Sequence, residues 1–187
     1  MKKIISVFFA LCICLSVSAQ EHMKFMGIPL DGTIDNFALK LKEKGVTYDA
    51  VKSETAGPGG RIFKGMFIGE DATFMVFFNA KSKMVFGVGV ELSYPDVESA
   101  HLPFVNLTEL LQNKYPTATS EASKDSDGDV NGLAFNIPDK TGVKRIGFIL
   151  QTLKVSDSYQ NGGCSIYLMY TDMDNFQKSE AINNEDL

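Results

Sequence analysis

The 187-residue chain has no tryptophan, two histidines and three cysteines, and each scarcity narrows its function. Without tryptophan, the broadest aromatic platform for stacking on a sugar ring is missing. His22 and His101 stand alone, with no His-x-x-x-His or Cys-x-x-Cys spacing to gather a metal. His101 is of the right type for a general base. It lies two residues before Pro103, where a surface position beside a helix start is expected, and the sequence identifies no nucleophile for it. Cys12 and Cys14 belong to the first apolar run, which leaves Cys164 with no partner for an internal disulfide. Cys164 shares the alternating face of Ile166 and Leu168, so it reads as core rather than as a nucleophile. A Gly-x-Ser-x-Gly elbow, a His-Glu-x-x-His pair and a dinucleotide fingerprint are all missing. The glycines of Ala56–Gly60 run into Arg61-Ile62-Phe63-Lys64, a strand pattern and not the helix start that a phosphate loop requires.

Positive charge is scarce as well: 18 lysines and arginines face 23 acids, a formal net charge of −5. Nucleic acid and anionic lipid both call for basic patches, so neither is expected as a partner. Two of the lysines, Lys2 and Lys3, stand at the very start, before an apolar run from Ile4 to Val17 that ends in Val17-Ser18-Ala19, with small residues one and three places before a cut. That layout predicts a secretory signal peptide over residues 1–19, cut before Gln20. The run is too short for a membrane span, which needs roughly 20 apolar residues. Leu11 and Ile13 precede the cysteines where a lipid anchor would need a small residue. The expected product is a periplasmic or secreted chain of about 168 residues with no transmembrane segment. Its net charge is about −7, because two lysines and no acids leave with the signal. His22 then falls in a mobile new N-terminus.

What remains reads as one α+β domain over residues 20–187, with halves at 20–95 and 96–187. Thr33 is a good N-cap; Ile34, Phe37, Ala38 and Leu41 form a stripe, and Gly45 is a stop. Residues 46–52 read as a short extended segment. Strands are expected over about 61–69, 72–79 and 83–93, joined by short polar turns into an antiparallel meander. Phe74 to Phe78 is continuously apolar, as in a central strand or one covered on both faces. Gly87 and Gly89 share one face and leave room for a close-packed helix or mark a bend. A second helix runs from Pro103 to about Lys114, with Asp96–His101 as a separate turn or kinked lead-in. Residues 117–129 are polar without apolar periodicity and read as a loop. Extended segments over about 131–137, 143–155 and 163–171 follow, then a short terminal helix over about 174–185. Strands in succession without intervening helices predict two helix-then-meander halves with the helices packed on sheet, not a parallel fold. The 14 phenylalanines are accounted for as core.

Candidate chemistry is thin. Asp125, Asp127 and Asp129 offer alternate carboxylates to calcium, but Val130 and Asn136 occupy the glycine and bidentate-acid places of an EF-hand loop. The same residues suit an ordinary solvated turn. The eight methionines offer soft thioether ligands, with core filling as the default. Scattered carboxylates leave an envelope hydrolase as an alternative, because glycoside cleavage carries no short motif.

The run Phe25-Met26-Gly27-Ile28-Pro29-Leu30-Asp31-Gly32-Thr33 enters a helix ending at Lys44-Gly45. A second helix closes at Lys114-Tyr115, and the last strand ends at Tyr170-Thr171-Asp172. This pattern resembles that of small exported proteins of Bacteroides-type bacteria, a group with no assigned activity, so no site residue is carried over. The helix-plus-meander architecture is similar to that of envelope proteins that bind other proteins, secreted enzyme inhibitors among them. The expectation is an exported, non-catalytic binding module for a protein or glycan, with a concave sheet face or the stretches 56–60 and 117–129 as its contact surface. Calcium-stabilised structural module and carboxylate hydrolase are the alternatives.

Overall fold

The computed structural model describes residues 21–124, 130–155 and 163–184. The chain opens with a small hairpin of β1 (Lys24–Phe25) and β2 (Ile28–Pro29), then enters α1 (Ile34–Glu43). The Thr33 hydroxyl accepts from the Asn36 N–H, and Ile34, Phe37 and Leu41 are buried. Next come β3 (Thr47–Tyr48) and a one-turn helix α2 (Ala50–Ser53). The extended segment expected over 46–52 is thus cut in two, because the Asp49 carboxylate caps the Lys52 N–H at 3.0 Å and turns the chain. The meander follows as β4 (Gly60–Phe67), β5 (Glu70–Phe78) and β6 (Val85–Tyr94).

The second half begins with α3 (Val97–Lys114), where the Asp96 carboxylate accepts from Ser99 N–H at 2.7 Å. The separate turn expected before Pro103 is absent; the helix is continuous and carries Pro103 inside it. Proline there removes one intrahelical hydrogen bond, and the burial of Ala100, Leu107 and Leu111 on either side holds the helix across it. The stretch expected as a loop contains a strand, β7 (Thr119–Lys124). It was hidden because this edge strand is polar on both faces, and its only signal is backbone pairing with β8 (Val130–Pro138). Last come β9 (Arg145–Val155), β10 (Cys164–Asp172) and α4 (Met173–Asn184).

All strands from β3 onward form one eight-stranded antiparallel sheet in the order β3-β4-β5-β6-β10-β9-β8-β7. The order runs inward from each edge in chain sequence, so the last strands of the two halves, β6 and β10, pair at the centre. Their register sets Val90 opposite Leu168 and Leu92 opposite Ile166. Each half is a helix followed by four strands, and the fold is α+β with helices packed on an antiparallel sheet.

One sheet face is the core. Phe63, Phe74, Val76, Val88, Val90, Leu168, Ile149 and Phe135 project from it and are all buried. α1 and α3 lie on this side. Arg61 on this face meets Asp35 of α1 at 2.6 Å, and Gln151 donates to the Phe104 carbonyl of α3 at 2.7 Å and meets Thr108 at 3.2 Å. Phe25 from β1 packs against Phe67, Phe74 and Tyr170 in the same core. Each fully buried side chain of this size contributes roughly 1.5–3 kcal/mol.

The N-terminal segment is anchored. Asp172, fully buried, accepts from Met23 N–H at 2.8 Å, contacts His22 Nδ1 at 3.0 Å and caps α4 through Asn175 N–H at 2.9 Å. His22 therefore belongs to the folded body and not to a mobile terminus. At the same end, Asn79 reaches Ser179 and Asn183, and Asn175 donates to Leu30 and Val85 carbonyls, fastening α4 across the strand ends.

Candidate functional site

The opposite face of the sheet carries neither α1 nor α3, and α4 borders one end of it through Phe176. By alternation it presents Ile62 from β4, Met75 and Phe77 from β5, Gly87 and Gly89 from β6, Tyr167 and Met169 from β10, and Leu150 and Thr152 from β9. The continuous apolar run of β5 is explained here: Phe74, Val76 and Phe78 enter the core, while Met75 and Phe77 lie on the uncovered side. The glycines of β6 also face this way and make room for no helix. A Cβ at Gly87 would meet Met169 Cε at 2.8 Å, and one at Gly89 would meet Phe77 at 3.4 Å. Both side chains lie flat across β6 as a floor. A bulge between Phe77 and Phe78 sits beside Gly87 and aims Phe86 at Phe77 and at Phe176 of α4, which closes one end of the floor.

A cavity of about 500 Å³ opens over this floor, lined by residues from β4 at one side to β7 at the other. Seven flat strands would spread over about 29 Å, so the sheet curls around the cavity with its uncovered face inward. A second depression of about 330 Å³ adjoins it, and Thr73 and Glu91 line both.

Glu91 is the polar centre. In the antiparallel register it stands opposite Tyr167, whose hydroxyl donates to Glu91 Oε1 at 2.7 Å, and Ser165 donates to the same oxygen at 3.1 Å. Burial, reinforced by the Glu91 hydrogen bond and charge, pushes the Tyr167 hydroxyl up to about 12. The phenol is therefore a fixed neutral donor. Lys154 Nζ rests 5.1 Å from the centre of the Tyr167 ring, a contact worth about 0.5–1 kcal/mol when exposed. Asn131 stands at the bulge where β7 pairs β8. Its Oδ1, at the cavity wall, is buried without a hydrogen-bond partner among the described residues.

The residues singled out in the sequence lie elsewhere. Cys164 is buried in the core; burial, then the charge of Asp96, raises its thiol above the ordinary range, the opposite of an activated nucleophile. His101 is exposed on α3. Asp125, Asp127 and Asp129, the calcium candidates, lie outside the described residues, among which no three His, Cys, Asp or Glu side chains gather around a metal-sized point. No described helix is long and apolar enough to cross a membrane. A groove of about 560 Å³ between α1 and β3 is lined by Ala38, Leu39, Val46, Tyr48 and Phe63. Its acid, Asp35, is already engaged by Arg61. Compared with protein-family models, with curated proteins and with solved structures, the chain matches none of them.

Proposed function

We propose that this is an exported, non-catalytic binding protein that holds its ligand against the uncovered, inward-curled face of the sheet. One observation carries the reading. Met75, Phe77, Leu150 and Met169 converge with the carboxylate of Glu91 in one cavity of about 500 Å³ whose described lining comes from strands alone. Apolar side chains left together on a strand face cost free energy in water, and a ligand that covers them recovers roughly 25 cal/mol per Å². A mainly apolar pocket with a few placed polar groups is the usual form of a small-molecule site. The basic start and apolar run of residues 2–17 support export.

The test is a thermal-shift screen of small molecules on the wild type, Met169→Arg and Leu39→Arg. A ligand at one hundred times its Kd stabilises by about 2.7 kcal/mol, which raises Tm by about 5–11 °C in a domain of this size. Shifts should vanish in Met169→Arg and persist in Leu39→Arg, whose charge sits in the other groove. Hits lost only in Leu39→Arg would refute the assignment.

A further inference from the structure

The cavity on the uncovered face holds two acceptors with unmet capacity. Glu91 receives only neutral hydroxyls, from Ser165 and Tyr167, and among the described residues no cation pairs with it. Asn131 Oδ1 is buried with no donor among the described residues. A part-buried carboxylate facing apolar side chains is costly to leave without a counter-charge, and a buried acceptor without a donor costs about 1–3 kcal/mol. Both deficits ask for the same thing, a group rich in N–H donors and positively charged. The two lysines that line the cavity do not supply it: the Lys154 ammonium lies over the Tyr167 ring with its side chain exposed, and Lys124 is exposed at the end of the edge strand β7. The formal net charge of −5 favours the approach of a cation and opposes that of an anion.

Building on the open-face reading, we propose that the ligand is a small amphipathic cation. Its apolar body lies on Met75, Phe77 and Met169, and its ammonium or guanidinium group is directed at the Glu91 carboxylate. A volume of about 500 Å³ suits a small molecule and not a folded domain. Tyr167 and Ser165 have a positioning role: by occupying Oε1 they leave Oε2 to the ligand.

The probes are octylamine, 1-octanol and octanoate, which share one chain and differ in head-group charge. Each is titrated calorimetrically into the purified protein and into Glu91→Gln, Lys154→Ala and Met169→Arg variants. Glutamine keeps the size and an acceptor for both hydroxyls, and matching circular dichroism and Tm confirm that each variant is folded. Octylamine should bind at least about tenfold more tightly than octanol, as a charge-assisted hydrogen bond predicts. That advantage should disappear in Glu91→Gln, persist in Lys154→Ala and shrink in wild type as salt rises from 0.05 to 0.5 M, roughly a threefold shortening of the screening length. Equal binding of the three probes, or tighter octanoate with the preference removed by Lys154→Ala, overturns the cation assignment while leaving the open-face site in place. Absence of binding by every probe also overturns it, and the thermal-shift screen then judges the open face independently. Octylamine binding unaffected by both Glu91→Gln and Met169→Arg overturns both.

Discussion

Replacing Asp172 with alanine should be among the most damaging single changes outside the apolar core. Its carboxylate is fully buried and joins three parts of the chain: Met23 N–H and His22 Nδ1 on Oδ2, and Asn175 N–H, the cap of α4, on Oδ1. Alanine leaves the Met23 N–H without an acceptor, at about 1–3 kcal/mol, and removes a helix cap worth about 1 kcal/mol. Loosening this anchor also frees Met23, whose side chain fills the space above Gly147. The expected loss is about 3 kcal/mol, a fall in Tm of about 6–12 °C for a domain of this size. Urea unfolding should show a lower midpoint with an unchanged slope. Asparagine, which keeps one acceptor oxygen, should recover part of the loss. His22→Ala should cost under about 1 kcal/mol, since the Met23 and Asn175 bonds remain. A loss below about 1 kcal/mol for Asp172→Ala would refute the anchor.

Three further outcomes follow from local geometry. Ile68 and Gly69 form the turn between β4 and β5 with φ of +52° and +91°; Ile68→Asn should raise stability by about 1 kcal/mol in urea unfolding, because a β-branched residue is strained in that region. A Cβ on Gly132 would collide with the backbone of Gln151 and Thr152, whereas Gly142 has open space around it; Gly132→Ala should therefore cost about 2 kcal/mol or more and exceed Gly142→Ala, and the reverse order would contradict the β8–β9 packing. Between pH 10 and 12 the unfolded chain releases the Tyr167 proton while the folded one, with this group at about 12, retains it. Stability from this residue is thus complete below pH 10 and lost as pH rises, so Tyr167→Phe should flatten the alkaline limb of the stability–pH curve.

The parts of the fold legible in the sequence are those whose side chains differ between inside and outside. α1 combined a cap, a stripe and a stop, and all its expected contacts except the half-buried Ala38 are buried. β7 was illegible because Thr119–Lys124 has no apolar face; its pairing with β8 uses backbone groups that every residue carries. Of the two readings open for Asp96–His101, the separate turn fails and the lead-in joins the helix: proline marks helix starts statistically, while burial on both sides of Pro103 decides the matter here. The candidate site was harder still. Glu91 and Tyr167 are 76 positions apart and meet only through the central β6–β10 register, and single-sequence periodicity does not specify which strands become neighbours. A faint signal existed in Phe74–Phe78: a strand apolar on both faces in a sheet with helices enough for one. The calcium candidates Asp125, Asp127 and Asp129 drew attention by clustering in sequence, while Glu91 stood alone there and gathered its partners only in the folded sheet.

The central claim, that ligand binds the uncovered face, is tested most directly by methionine-methyl NMR of protein labelled at Cε with ¹³C. Met75 and Met169 line the cavity, and Met23, buried on the opposite side above Gly147, is an internal control. Titration with a ligand from the thermal-shift screen should move the Met75 and Met169 methyl resonances together, with one binding curve, and leave Met23 in place. Saturable binding that leaves Met75 and Met169 unmoved would contradict the account.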